Sequence, residues 1–156
     1  MRLFTLLTSL FLFASAADYS GTWVANIEKS QLGTPPPKSY VMKFEKTGPN
    51  AFLVTIDVVR ADGEERHQQF TRTYDGEEHA IYADGKEHPG VPKEATETCT
   101  QVDPRTRHII GKNNGKVTYE IDAKMARDKK TMTARQTFFA PDGQTWEVRV
   151  FAFERR

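Results

Sequence analysis

The chain has 156 residues, of which 28% are charged, and its formal net charge is +1. Because the charges balance, the chain lacks the long-range field that attracts nucleic acid or an anionic membrane. Its one cysteine, Cys99, excludes an internal disulfide bond and is expected to be a small, half-buried strand residue. Stability must therefore come from the core.

The first sixteen residues have the pattern of a secretory signal peptide. Arg2 supplies a positive charge, residues 3–13 are a Leu/Phe-rich run, and Ala14-Ser15-Ala16 forms an A-x-A cleavage site. The apolar run is too short to cross a bilayer, which needs roughly 20 helical residues. We predict cleavage near Ala16, export to the periplasm or the extracellular space, no membrane insertion, and a single domain over 17–156.

Turn sequences separate runs of β-forming residues along the whole remaining chain. Asp-Gly and Asn-Gly pairs, which favour tight hairpins, lie between segments rich in Val, Ile, Thr, Phe and Tyr. No segment after residue 17 carries a helical stripe. We predict an all-β fold, an antiparallel up-and-down meander of eight to ten strands, with the runs at 21–27, 38–46, 51–61, 65–74, 79–83, 94–102, 106–112, 116–125, 130–140 and 144–154.

Alternation within the runs predicts which side chains face the interior. One strand places a clean apolar set on one face: Val117, Tyr119, Ile121, Ala123 and Met125. In the last strand the alternating set is Trp146, Val148, Val150 and Ala152, and it is interrupted by Phe151 and Phe153, which indicates that both faces of this strand are covered at its end. Closure of the sheet into a barrel would remove both exposed edges, and a two-sheet sandwich is the alternative.

A family resemblance rests on Gly21-Thr22-Trp23, which opens the first strand and resembles the G-x-W of lipocalin and calycin barrels. The order of further motifs resembles small secreted bacterial lipocalin-like proteins, a family without an established activity: Asn26, Lys29-Ser30, Asp62-Gly63, Tyr74-Asp75-Gly76, Asp103, Arg105, Gly115-Lys116, Lys130-Thr131-Met132-Thr133 and Asp142-Gly143. The resemblance implies a lipocalin-like barrel in which Trp23 packs under Arg149 or Arg155 and closes one end.

Six residues are candidates to line the barrel interior and contact a ligand: Tyr40, Gln68, Phe70, Arg72, Tyr119 and Gln136. Arg72 offers a two-pronged donor for a carboxylate among apolar groups. In the opposite register of 65–74, His67, Gln69, Thr71 and Thr73 would face inward, and Arg72 would be solvated. The leading interpretation is binding of a small, mostly apolar ligand, with an anionic head if Arg72 faces inward.

Catalytic and metal-binding patterns are not apparent. The chain has no G-x-S-x-G nucleophile motif, and its histidines, His67, His79, His88 and His108, have no spacing that places two of them together on one strand. His88 is better explained as a surface residue than as a haem ligand. We predict no enzyme activity, no metal and no cofactor. Two alternatives stay open: a filled barrel acting through loops 31–38 and 84–93, and an isomerase or cyclase of the calycin type that uses interior Tyr and Arg groups.

Overall fold

The computed structural model describes residues 17–81 and 91–156. The expected signal peptide (1–16), His88 and most of the loop 84–93 lie outside the described residues. The described residues form ten strands: β1 (Gly21–Ala25), β2 (Ser39–Lys46), β3 (Ala51–Val59), β4 (Glu65–Thr73), β5 (Glu78–Ala80), β6 (Ala95–Asp103), β7 (Thr106–Asn113), β8 (Lys116–Met125), β9 (Thr131–Phe139) and β10 (Thr145–Arg155). Within the described ranges, no helix is long and apolar enough to span a bilayer.

All ten strands belong to one antiparallel sheet in the order β4-β3-β2-β1-β10-β9-β8-β7-β6-β5. The first strand pairs with β2 on one side and with β10 on the other, so the two ends of the chain meet in the same sheet. The all-β, up-and-down prediction is confirmed, and the two-sheet sandwich is wrong. The barrel is nearly closed: β4 and β5 are its two edges, and β4 lies close to β6 across the slit between them.

The hairpins form where the sequence supplies residues that tolerate a left-handed backbone. Between β7 and β8, Asn114 and Gly115 have φ values of 49° and 75°, the conformation that a two-residue type I′ turn requires. This turn and the β3–β4 and β9–β10 turns lie at one end of the barrel, which we call the mouth. The β2–β3, β6–β7 and β8–β9 turns lie at the other end, together with residues 17–20. We call that end the closed end.

Strand β8 departs from the predicted alternation at its start. Gly111 pairs with Tyr119 and Lys112 pairs with Val117, so Thr118 is an extra residue in the ladder. This bulge turns Val117 to the exposed surface, and its predicted place on the interior face is wrong. The remainder of the predicted face, from Tyr119 to Met125, keeps its inward direction because the register is regular from there on.

In strand β10 the interior face is the one that carries Phe151 and Phe153, and not the alternating set from Trp146 to Ala152. Phe151 and Phe153 are buried opposite Ala134 and Met132 of β9, whereas Trp146 is 62% exposed and Val148 is also exposed. Both faces of this strand carry apolar residues, so alternation alone could not identify the interior one. The ladder is also irregular between Thr145 and Glu147, which places Trp146 at the rim of the mouth, against the ring of Phe138.

Candidate functional site

The barrel interior contains a cavity of about 420 Å³ that extends towards the mouth. All six ligand candidates line it, and Ile56, Ile121 and Phe138 contribute to its apolar wall. Tyr40, Gln68 and Gln136 also line a wider space of about 650 Å³ at the mouth. The two spaces are therefore parts of one interior. The structure brings the six residues together, and their role in binding stays a prediction.

The register of β4 decides that Arg72 faces inward. Phe70, Arg72 and Tyr74 are buried, and Gln68 lines the cavity on the same face. On the opposite face, His67 is exposed, with its Nδ1 2.6 Å from Asp57 Oδ1 on β3. The pairing of Val54 with Phe70 fixes this register, because it places one buried side chain directly beside another.

Arg72 already has a carboxylate partner inside the protein. Its Nε donates to Oε2 of Glu97 at 2.8 Å and its Nη2 donates to Oε1 at 2.7 Å. The Tyr119 hydroxyl donates to the same Oε1 at 2.5 Å, and Cys99 Sγ lies 3.8 Å from Oε2. This buried network joins β4 to β6 across the slit. Two of the three guanidinium nitrogens of Arg72 are thus engaged by Glu97, and a role of Arg72 in binding an anionic head stays a prediction.

The network shifts the pKa of each member. Burial by itself raises the pKa of Glu97, but the charge of Arg72 and the hydrogen bonds that Glu97 accepts outweigh it, so this pKa lies below its ordinary value of 4.5. Burial, and then the negative charge of Glu97, raise the pKa of Tyr119 well above its usual range. The same two causes raise the pKa of Cys99 to about 12. At neutral pH the network is an ion pair with a neutral phenol and a neutral thiol.

Glu97 is not among the site residues predicted from the sequence, although a signal for it was present. Ala95, Glu97 and Cys99 alternate with threonines along β6, so the carboxylate shares a face with two residues that are buried in the structure. Tyr119 reaches Glu97 because its cross-strand partner is Gly111. A methyl group at position 111 would overlap the Tyr119 ring, so the glycine leaves the space that the ring occupies.

At the closed end, Trp23 is fully buried and its Nε1 donates to the Tyr19 carbonyl at 2.9 Å. Arg155, not Arg149, lies over the Trp23 ring, with its Cζ 5.2 Å from the ring centre. Its Nη2 also donates to the carbonyls of Ser20 and, at 3.2 Å, of Asp18. The strand register explains why Arg155 and not Arg149 covers Trp23. Strand β10 reaches the closed end only with its last residues, where Arg155 pairs with Trp23.

Arg149 lies in the mouth, where its predicted role of closing the barrel is wrong. Its Nε and Nη2 each donate to Glu147 at 2.8 Å, and its Cζ lies 4.9 Å from the centre of the Phe138 ring. Leu32, Pro35 and Pro37 line the same space, so the 31–38 loop forms part of the mouth. The mouth thus combines an apolar wall with a charged rim.

Comparisons with known proteins support the fold. No protein-family model matches the chain, and no curated protein matches its sequence. The wild-type fluorescent protein UnaG matches in structure, with a TM-score of 0.59, 15% identity, and coverage of 88% of this chain and 97% of that one. The zebrafish ileal bile acid-binding protein complexed with cholic acid matches with a TM-score of 0.51, 12% identity, and coverage of 88% and 98%. The chain has a calycin-type fold.

Proposed function

We propose that this protein is a non-catalytic binding protein that holds a small, mostly apolar molecule inside its barrel. The observation that carries this proposal is the cavity of about 420 Å³ in continuity with the mouth. Ligand sites in proteins commonly have volumes of roughly 300–1,000 Å³, mostly apolar walls and a few polar groups. A barrel whose interior is filled by side chains, and which acts only through its loops, would not contain a cavity of this size.

The polar groups in the cavity support a ligand that is apolar over most of its surface. Gln68 and Gln136 are amides, and the Arg72–Glu97 pair is neutral as a unit. Tyr40 contributes a phenol whose pKa is raised by burial, so it stays neutral. Such groups orient a ligand through hydrogen bonds without requiring a full opposite charge.

The pKa directions support a binding role over catalysis. A general acid or base works best with a pKa near the working pH. In the described part of the cavity, the pKa of Glu97 is lowered and those of Tyr119 and Cys99 are raised, so each group moves away from neutrality. An isomerase or cyclase that used one of these three groups as its general acid or base would need the pKa of that group shifted towards neutrality instead.

The similarity to the bile acid-binding protein also supports ligand binding. Its solved structure, which has the same barrel fold, contains cholic acid, a small molecule. With 12% identity, the likeness concerns the fold and leaves the ligand of this chain to be found by experiment.

We further propose that the protein is exported, to the periplasm or outside the cell, as the small secreted bacterial lipocalin-like proteins are. The support is the signal-peptide pattern of residues 1–16. The backbone N–H of Ala17 donates to the Pro104 carbonyl at 2.6 Å, so the residue after the expected cleavage site is held in the fold. N-terminal sequencing of protein recovered from its own host should begin at Ala17. A chain that retains Met1 would contradict export by this route.

Native mass spectrometry of the protein purified from its own host tests the binding proposal. We expect a species heavier than the bare chain that loses a small, apolar molecule on activation. A variant that fills the cavity, Ile56→Trp, should lose this species because Ile56 lines both the cavity and the mouth. Val102→Trp is the control, since Val102 is an exposed apolar residue. A bare chain in wild type, or a bound molecule that persists in Ile56→Trp, would contradict binding in the cavity.

A further inference from the structure

We propose that the closed end of the barrel holds a second, anion-binding part of the ligand site, in which Arg107 receives the carboxylate-sized head of an otherwise apolar ligand. This inference rests on the proposed function and specifies the chemical class of the ligand. Neither the motifs in the sequence nor the six cavity candidates include Arg107. Its buried, incompletely paired guanidinium is the starting observation.

Arg107 lies on β7 near the β6–β7 turn and is only 3% exposed. Three aromatic rings surround its Cζ, at centre distances of 3.6 Å for Tyr19, 3.9 Å for Tyr74 and 4.7 Å for Phe52. Its Nε donates to Oε1 of Gln101 at 3.0 Å. Its Nη1 is buried and has no hydrogen-bond partner among residues 17–81 and 91–156. The rings screen the cation but cannot accept this N–H in the way that an oxygen does.

The charges at this end do not balance. Among the buried groups that line the interior, Arg72 and Arg107 are cations, and Glu97 is the anion that pairs with Arg72. Asp103, at the adjacent turn, is exposed and accepts the backbone N–H of Arg105 at 2.8 Å. Among the described residues, one buried positive charge is therefore without a buried anion beside it. A buried charge without a counter-ion is costly, so a site of this kind favours an anion that enters it.

A small cavity of about 40 Å³ adjoins Arg107 and is lined by Tyr19, Arg72 and Tyr74 as well. A space of this size exceeds the roughly 10–15 Å³ that one water requires, so it has room for a small head group beside Arg107. The cavity continues into the larger one, because Tyr40, Met42 and Ile121 line both. A ligand with its head at Arg107 would therefore extend its apolar part towards the mouth.

Two arginines face the same interior, and their hydrogen-bond partners show which of them can receive an anion. Arg72 makes two charge-assisted hydrogen bonds with Glu97. Among the described residues, Arg107 has only neutral hydrogen-bond partners, the Gln101 oxygen and the Tyr74 hydroxyl, and its Nη1 has none. Burial lowers the pKa of Arg107, which again reflects the unfavourable environment of an uncompensated cation. An incoming carboxylate would supply the charge-assisted hydrogen bond that Gln101 does not provide.

Calorimetric titration at pH 8 with two probes of equal chain length, dodecanoate and dodecan-1-ol, tests the inference. The wild-type protein should bind dodecanoate about ten- to a hundredfold more tightly, as one hydrogen bond to a charged group predicts. Arg107→Gln should bring the affinities for the two probes together, because dodecanoate loses far more affinity than dodecan-1-ol. Arg135→Gln, which removes an exposed arginine on β9, is the matched control and should keep the preference.

A second measurement does not depend on any variant. Nuclear Overhauser contacts between the C2 protons of dodecanoate and the wild-type protein should involve the Tyr19 and Tyr74 rings. Contacts with mouth residues instead would overturn the inference, as would equal affinities of the wild type for the two probes, even though the alcohol still binds. If neither probe binds, the proposed function itself fails.

Discussion

The Arg72–Glu97 ion pair provides the sharpest test of how this barrel is held together. Its two side chains are 7% and 5% exposed, and it links β4 to β6, which are not neighbours in the sheet. Arg72→Met would leave a buried carboxylate without its counter-ion, and Glu97→Gln would leave a buried guanidinium without one. Breaking a buried pair in this way costs about 3–5 kcal/mol. Since small domains have a free energy of unfolding of about 5–15 kcal/mol, either change should remove a large part of it.

Urea unfolding of the wild type, the two single variants and the double variant measures this effect. The double variant has no unpaired charge, so its loss should be smaller than the sum of the two single losses by about 2 kcal/mol or more. The Arg60–Glu64 pair is a matched control, because its bond of 2.7 Å is as short but its side chains are 47% and 48% exposed. Arg60→Met should lower the free energy of unfolding far less than either buried single change, because water screens this exposed pair. Single losses at Arg72 and Glu97 as small as this, or losses that simply add, would refute the argument that the pair is buried and coupled.

Three further predictions follow from the same structure. Burial and the charge of Glu97 raise the pKa of Cys99 to about 12. Iodoacetamide at pH 8 should therefore leave this thiol unmodified in the folded protein and modify it in urea. Rapid labelling without urea would contradict the burial of Cys99. In the folded protein the pKa of Glu97 lies below its ordinary value of 4.5. The contribution of this carboxylate to stability is therefore complete above pH 4.5 and is lost as the pH falls through the folded-state pKa. In that pH range the urea midpoint of the wild type should fall more steeply than that of Glu97→Gln, and parallel curves would contradict the prediction. Arg155→Met should lower the free energy of unfolding by about 1–2 kcal/mol, because Arg155 covers Trp23 and donates to two carbonyls. Arg149→Met at the mouth should lower it by less than about 1 kcal/mol. The reverse order in urea unfolding would contradict the conclusion that Arg155 closes the barrel end.

The strand boundaries were largely predictable because local chemistry sets them. Pairs such as Asn114-Gly115 favour a backbone that turns, and the runs between the turns carry the β-branched and aromatic residues that suit strands. The strand predicted at 116–125 is observed as Lys116–Met125. A bulge, however, depends on the partner strand, so the outward turn of Val117 could not be found from its own alternation.

The interior was predictable only where one face of a strand was clearly more apolar. On β4, Phe70 indicated the inner face, and Arg72 lies on the same face because it is two residues further along the strand. On β10, Phe151 competed with Val150, and only the pairing with β9 decided that the phenylalanine faces inward. The partner of Arg72 comes from a strand 25 positions further along the chain, a distance over which sequence alternation carries no information.

The sequence by itself determined that the chain forms successive antiparallel strands and that Trp23 opens the first of them, because turn and strand preferences act between near neighbours. Only the tertiary structure decided which charges meet. Glu97 neutralises Arg72 and leaves Arg107 with an unpaired nitrogen because closure of the sheet sets the distances between strands far apart in the chain. The sequence of one strand can place an arginine on the inner face. It does not show whether a carboxylate from another strand will form an ion pair with that arginine.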